Sequence, residues 1–581
     1  SDIALALHAS RRPRRMAMEE GSKDEQVSLV NKQASYGSAG APTRPGSVGI
    51  PAVCWFILVV ELCERLSFYT FTGSQAFFLE HLGFGTATAS SLNATMWTLC
   101  TVLAVLASWM ADVALGRYAT ILAAGCTYFL GVLLASIAAH PDVEIAPLYF
   151  IGVMVFLPLG TAGIKSNISN FGADQYDPSD PNHAAAQERF FSIFYLSINV
   201  GAGLSYGFFT TFASSGGLGV PKRFGYFVAY LLMTLCMLLA VGIFRAGRSG
   251  YRVHPLQENS ALFTVAKSLV ESARAGCGKA SVVCLGAVLL LATIIISCIK
   301  SLVQNSGQSL MIAAFVTAAL GALAIILPCL DPSWLGTWRA GGASDKELEV
   351  QGFLRVLPVL FTGNFAFGAL YNSMQFWYQL QACQMDLRIG GNGFQLSGSF
   401  FNIADCLAIV IFTPLLVDWL NPLLERTLGG NLTHGIKFGM GMLIAGVSVL
   451  VAGRLEQMRR GASILGATSN CAPPGIHMSS ISGAWMMVPF FLMGIGEIYS
   501  QPTLLHFAYA RSPSSMRTLA MAISFFIQGV SSAIFAVLVE SMSKYITNDL
   551  NDGRLEYGYF ANIIIGVVFY LFFMAVLRVA P

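Results

Sequence analysis

Glu61-Leu62-Cys63-Glu64-Arg65-Leu66-Ser67-Phe68-Tyr69 sits inside an apolar run that begins near Pro51 and continues to about Leu79. Glu61, Glu64 and Arg65 stand at i, i+3 and i+4, so a helix carries them on one face, which Phe68 and Thr72 extend. A charge near the centre of a bilayer costs about 2.5–3.5 kcal/mol on insertion scales. Three ionisable groups in one membrane-length segment therefore point to a water-filled cavity or to partners on other helices. The segment reads as a site for ions or polar solutes. A purely structural role, acid and base locking a helix in place, is the alternative.

The rest of the chain fits that environment. Of 581 residues 55% are hydrophobic and only 11% charged, against about 25% charged in a soluble protein. Lipid must be the main solvent. A formal net charge of +3 with basic residues spread over loops excludes a nucleic-acid partner. The twelve cysteines show no metal-ligand spacing and no disulfide framework. Cys383 and Cys471 fall in loops on the same predicted side, and whether they are bridged stays open.

Residues 1–48 are polar, without periodicity, and read as a disordered cytoplasmic tail. Position 1 is not Met, with Met16 and Met18 as candidate starts; no cleavable signal is expected, because Arg11–Arg15 precedes polar sequence. Spanning a bilayer takes about 20 apolar residues. Six candidate spans fall in 49–246, two more at about 281–299 and 309–330 within a linker of 247–350, and six in 351–581. Six, two and six predict an all-α membrane protein of fourteen spans: two six-helix bundles plus two inserted central helices. Substrate would lie between the bundles. Basic residues near span ends favour a cytoplasmic N-terminus. The sequons at Asn167 and Asn431 then face the cytoplasm, and neither is expected to carry glycan.

Three further stretches carry chemistry. Ala111-Asp112-Val-Ala-Leu-Gly116-Arg117 joins the second and third spans; glycine allows the tight turn, and Asp with Arg can bridge helix ends. Phe194-Tyr195-Leu-Ser-Ile-Asn199-Val-Gly201 places Tyr195 and Asn199 one turn apart and lets Gly201 pack closely. Glu497 is a lone acid in the tenth span of the two bundles, about 20 Å from Trp485 at 1.5 Å per residue. No nucleophile–base constellation supports an enzyme.

Together, Glu61-x-x-Glu64-Arg65, Phe194-Tyr195-x-x-Ile-Asn199-x-Gly201 and Phe171-Gly-Ala-Asp174-Gln175 resemble the proton-coupled oligopeptide transporter family. That family belongs to the major facilitator superfamily, whose loop motif 111–117 also resembles, with Ser108 where glycine is usual. The resemblance covers about 50–579. It implies the major facilitator fold, alternating access, a small-molecule cargo of short peptides or an amino acid, and no cofactor beyond protons as coupling ion. It implies proton coupling by Glu61, Glu64 and Arg65. Lys165 would bind the substrate carboxylate, Glu497 its amine, and Tyr69, Tyr195, Asn199 and Asn402 would line the pocket. Asp112, Gly116 and Arg117 would form the gating loop. Asp405 is ionisable and intramembrane but has no family role.

Two departures bear on cargo. Thr72 stands where many members have a cation, and Leu357–Cys383 has no acid, offering Asn372 and Gln375 instead. In this the first span is closest to the peptide/histidine branch. The expected function is proton symport of di- or tripeptides, with histidine a further cargo. The alternatives are proton-coupled transport of nitrate or another organic anion, and a nutrient-sensing membrane scaffold. The expected setting is a monomer among lipids of the plasma membrane or an endolysosomal or vacuolar membrane.

Overall fold

The computed structural model describes residues 50–177, 183–253, 256, 260–303, 307–337, 343–389, 393–430 and 432–579. The predicted tail and Asn431 lie outside the described residues. Six helices come first: α1 (Ala52–His81), α2 (Thr86–Trp109), α3 (Arg117–Ala138), α4 (Ala146–Ala173), α5 (His183–Leu204) and α6 (Gly225–Ala246). An amphipathic α7 (Ala261–Arg274) precedes α8 (Gly278–Leu302) and α9 (Gln308–Cys329). Then follow α10 (Asp345–Cys383), α11 (Gly398–Pro414), α12 (His434–Gly461), α13 (Met487–Arg511), α14 (Arg517–Ser541) and α15 (Leu555–Val579).

Ten described helices are long and apolar enough to cross a membrane, against fourteen predicted spans. Those outside the ten are α1, α5, α11 and α13. Most of these hold the polar candidates: α1 has its ionisable triplet, α5 has Tyr195 and Asn199, and α13 has Glu497. α11 is short. The ionisable triplet of α1 breaks its apolar signal, whereas α4 keeps its own although it carries Lys165.

α10 starts earlier than hydropathy suggests. Ser344 caps it: its hydroxyl accepts from Glu347 N–H, while the Glu347 carboxylate accepts from Ser344 N–H at 2.8 Å. α12 runs on to Gly461 because buried Arg459 pairs with Glu456 at 2.8 Å, and Arg460 with Glu556 at 2.7 Å.

The chain divides by compactness into a large unit, Ile50–Val410 with Thr433–Pro581, and a small one that holds Ile411–Leu432. In the small unit a wide turn at Leu415–Leu420 runs into helix Asn421–Leu428, which ends on left-handed Gly429. Glu425 Oε1 accepts from Leu432 N–H at 3.1 Å.

In the large unit α1 packs on α5 and α6, and α3 on α4 and α6. α10 packs on α14 and α15, and α12 on α13 and α15. The two sets meet where α2 runs along α14. Inserted α8 lies against both, and α9 against α10 and α14. Ser301 of α8 shares hydrogen bonds with Ser91 (2.8 Å) and Thr95 (2.9 Å) of α2. Ser91 Oγ also donates to Ala536 O of α14, at 3.0 Å.

Around the C-terminal end of α1, bonds cross between the sets. Ser399 Oγ donates to Gly73 O (2.5 Å), Ser397 N–H to Thr211 Oγ1 (3.1 Å) and Thr86 N–H to Asn548 Oδ1 (3.0 Å). A hairpin, Ile464–Thr468 with His477–Ser479, covers this end. Asn470 in its loop donates to Ser215 Oγ at 2.6 Å, and Cys471 is disulfide-bonded to Cys383 of α10. The molecule is closed at this end.

Candidate functional site

Helical spacing puts the α1 triplet together. Arg65 Nε lies 3.2 Å from Glu61 Oε1, and the other side of the guanidinium pairs with Glu64. None of the three is more than 3% exposed. Glu61 Oε2 and Glu64 Oε1 have no hydrogen-bond partner among the described residues. One cation thus serves two carboxyl groups.

α5 holds this face in place. A Cβ on Gly201 would stand 2.9 Å from Arg65 Cβ and 3.1 Å from Leu66 N, so only glycine admits the crossing. Ser205 Oγ donates to Leu66 O across it, at 2.6 Å. Overpacking such a contact costs about 1–3 kcal/mol. Gly201→Leu is therefore expected to displace Arg65 and lower uptake into proteoliposomes roughly tenfold, with the helical circular dichroism signal retained. Unchanged uptake would refute this role for the crossing.

A cavity of about 350 Å³ borders the triplet. Glu61, Arg65, Lys165, Asn170, Tyr509 and Phe525 are among its walls, drawn from both helix sets. Lys165, at the end of a regular turn of α4, lies with its Nζ 5.6 Å from the ring centres of both Trp97 and Phe525. The ammonium is thus held by aromatic faces on α2 and α14. Sequence reasoning passed over Trp97 and Phe525, since aromatic residues in apolar spans carry no distinguishing signal.

Glu497 is not among the walls of this cavity; Tyr371 stands beside it, and Lys165 is within electrostatic reach. Its Oε2 has no partner among the described residues. Asp405 of α11 is its electrostatic neighbour, as are Tyr195 and Tyr371. Tyr69 packs at a tilt against Tyr206 (5.5 Å between rings) in a cluster with Ala202 and Cys406. Asn199 donates to the Tyr195 carbonyl at 2.9 Å, so part of its polarity serves its own helix. Asn402 is buried in the turn that opens α11, with Oδ1 unpartnered. Of the α10 pair offered by the sequence, Asn372 accepts from Ser532 Oγ of α14 at 3.1 Å. Gln375 lies near Tyr206. Tyr371, one residue before Asn372, is the α10 side chain that stands beside Glu497.

The Asp112–Arg117 loop is a clamp. Gly116 has φ +81°, which suits glycine. Arg117 reaches Asp112 (3.6 Å) and Asp174 (2.5 Å), joining the α2–α3 loop to the end of α4. Asn167 is 2% exposed and donates to Gly163 O at 3.0 Å, leaving no room for a glycan. Among the described residues no group of three His, Cys, Asp or Glu could hold a metal ion.

A POT family model matches residues 118–555. Protein NRT1/ PTR FAMILY 8.1 of Arabidopsis thaliana is 27% identical over 552 residues, 89% of this chain and 92% of that protein. An auto-inhibited POT family peptide transporter superposes with a TM-score of 0.71 at 22% identity, over 91% of this chain and 97% of that one. The POT family transporter PepTSo gives a TM-score of 0.71 at 23% identity, over 91% and 99%.

Proposed function

Since this chain belongs to the POT family of multi-pass membrane transporters, which are not enzymes, we propose that it is a proton-coupled symporter of di- and tripeptides working by alternating access. One observation carries the cargo assignment. The cation Lys165 belongs to the first helix set, in which Arg65 is taken up by Glu61 and Glu64, and the carboxyl groups Glu497 and Asp405 belong to the second. A zwitterionic peptide has an end for each. Nitrate would leave Glu497 without a counter-charge, and a scaffold needs no such polarity.

In this reading Lys165 takes the carboxylate and Glu497 the ammonium. Arg65 neutralises one of Glu61 and Glu64, and the coupling proton resides on the other. Substrate at Lys165 alters the field on that pair, which links cargo to proton. With closure at the C-terminal end of α1, and with the N-terminus cytoplasmic, the state is shut on the non-cytoplasmic side. A proton descending 100 mV releases about 2.3 kcal/mol. One pH unit adds about 1.4 kcal/mol. Their sum supports roughly 500-fold accumulation of a neutral dipeptide per proton.

The test is uptake of labelled dialanine by proteoliposomes at acidic and neutral external pH, with peptides, histidine and nitrate as competitors. Uptake should rise in acid and be blocked by peptides. Glu497→Gln should cost roughly tenfold in KM, about 1.4 kcal/mol, because the glutamine oxygen still accepts from the amine while the charge is lost. Nitrate competition together with an unimpaired Glu497→Gln variant would replace this reading with the anion one.

A further inference from the structure

No substrate group is assigned to Asp405 above, yet it is only 7% exposed and its Oδ1 has no partner among the described residues. Its carboxylate lies on α13 at Gly494: a Cβ there would be 2.9 Å from Asp405 Oδ1. Glu497 is three residues further along α13, on the same face. Its Oε2 is likewise unpartnered. Asn402, one turn before Asp405, is 6% exposed and presents an unpartnered Oδ1.

Buried acceptors without donors are costly, and these three come from two elements. An α-ammonium brings three N–H donors and one charge, enough for Glu497. It leaves Asp405 unmatched. A guest with a second ammonium or guanidinium group would match both carboxyl groups and still have donors for Asn402. The geometry points to a two-carboxyl subsite, Asp405 with Glu497, that selects substrates carrying a second cationic group beside the α-ammonium, such as a dipeptide with a basic first side chain. This rests on reading Glu497 as the amine site.

Two measurements decide it. In proteoliposomes, the KM of lysyl-alanine relative to dialanine should rise roughly tenfold or more in Asp405→Asn, the effect of one charged hydrogen bond. Equal changes for both peptides would overturn the proposal. The second measurement needs no peptide transport: thermal stabilisation of the detergent-solubilised, monodisperse protein by 1,4-diaminobutane and by butylamine. The diamine should stabilise wild type at lower concentration than the monoamine, and the gap should close in Asp405→Asn. No gap in wild type would overturn the subsite. Loss of dipeptide uptake in wild type, with the amine gap intact, would instead remove the peptide assignment and leave the subsite standing.

Discussion

Lys165→Gln is expected to weaken dipeptide binding by roughly 100-fold, about 2.7 kcal/mol, and to stop net uptake. Two effects combine. The substrate carboxylate loses its ammonium partner, a charged hydrogen bond contributing about 1.5–3 kcal/mol. The cavity also loses the cation held between Trp97 and Phe525, each at 5.6 Å. Glu61 and Glu64 then share Arg65 alone, so the pair holds its proton without reference to cargo. Equilibrium binding of labelled dialanine, read beside proteoliposome uptake, separates the two. Binding within about threefold of wild type would refute carboxylate recognition by Lys165, since a lost charged partner costs more.

Glu64→Gln is expected to abolish acid-stimulated accumulation while sparing exchange. Glutamine keeps the shape at a position that is 0% exposed and removes the titrating group. Arg65 keeps Glu61, at 3.2 Å. Counterflow, in which labelled and unlabelled dipeptide trade places, needs no net proton movement and should persist. Wild type should accumulate more as external pH falls, because each proton delivered outside drives one turnover inward; the variant's profile should be flat. At one pH unit the lost driving force is about 1.4 kcal/mol, roughly tenfold in accumulation, and larger with a membrane potential. A variant that keeps the full acid response would move the proton site away from Glu64.

What the sequence made readable follows from what a one-dimensional pattern contains. Glu61, Glu64, Arg65, Lys165 and Glu497 stood out because a charge in an apolar span is costly and persists where it meets a cavity or a partner. Their convergence, and Trp97 and Phe525 as supports for Lys165, depend on how separate helices are rotated against each other. α10 shows the limit. It is covered on nearly all sides (94% of its most apolar window), so no amphipathic stripe reveals which residue looks inward. Asn372, polar and central, turns to Ser532 of α14, while neighbouring Tyr371 stands beside Glu497. The early start of α10 was readable, since Ser344-x-x-Glu347 is a helix-start signature, yet hydropathy alone passes over it. Asp405 was visible as a charge, but its relation to Gly494 and Glu497 exists only in three dimensions.

Ser301 gives the inserted helices a stake in the working cycle. α8 is bonded to Ser91 and Thr95 of α2, while Ser91 is also bonded to Ala536 of α14. In the proposed alternating-access cycle, parting the shut end would pull Ser91 away from Ala536, and α8 would have to ride with α2 over α14 or release α2. Turnover speed would then depend on hydroxyl groups far from any cargo.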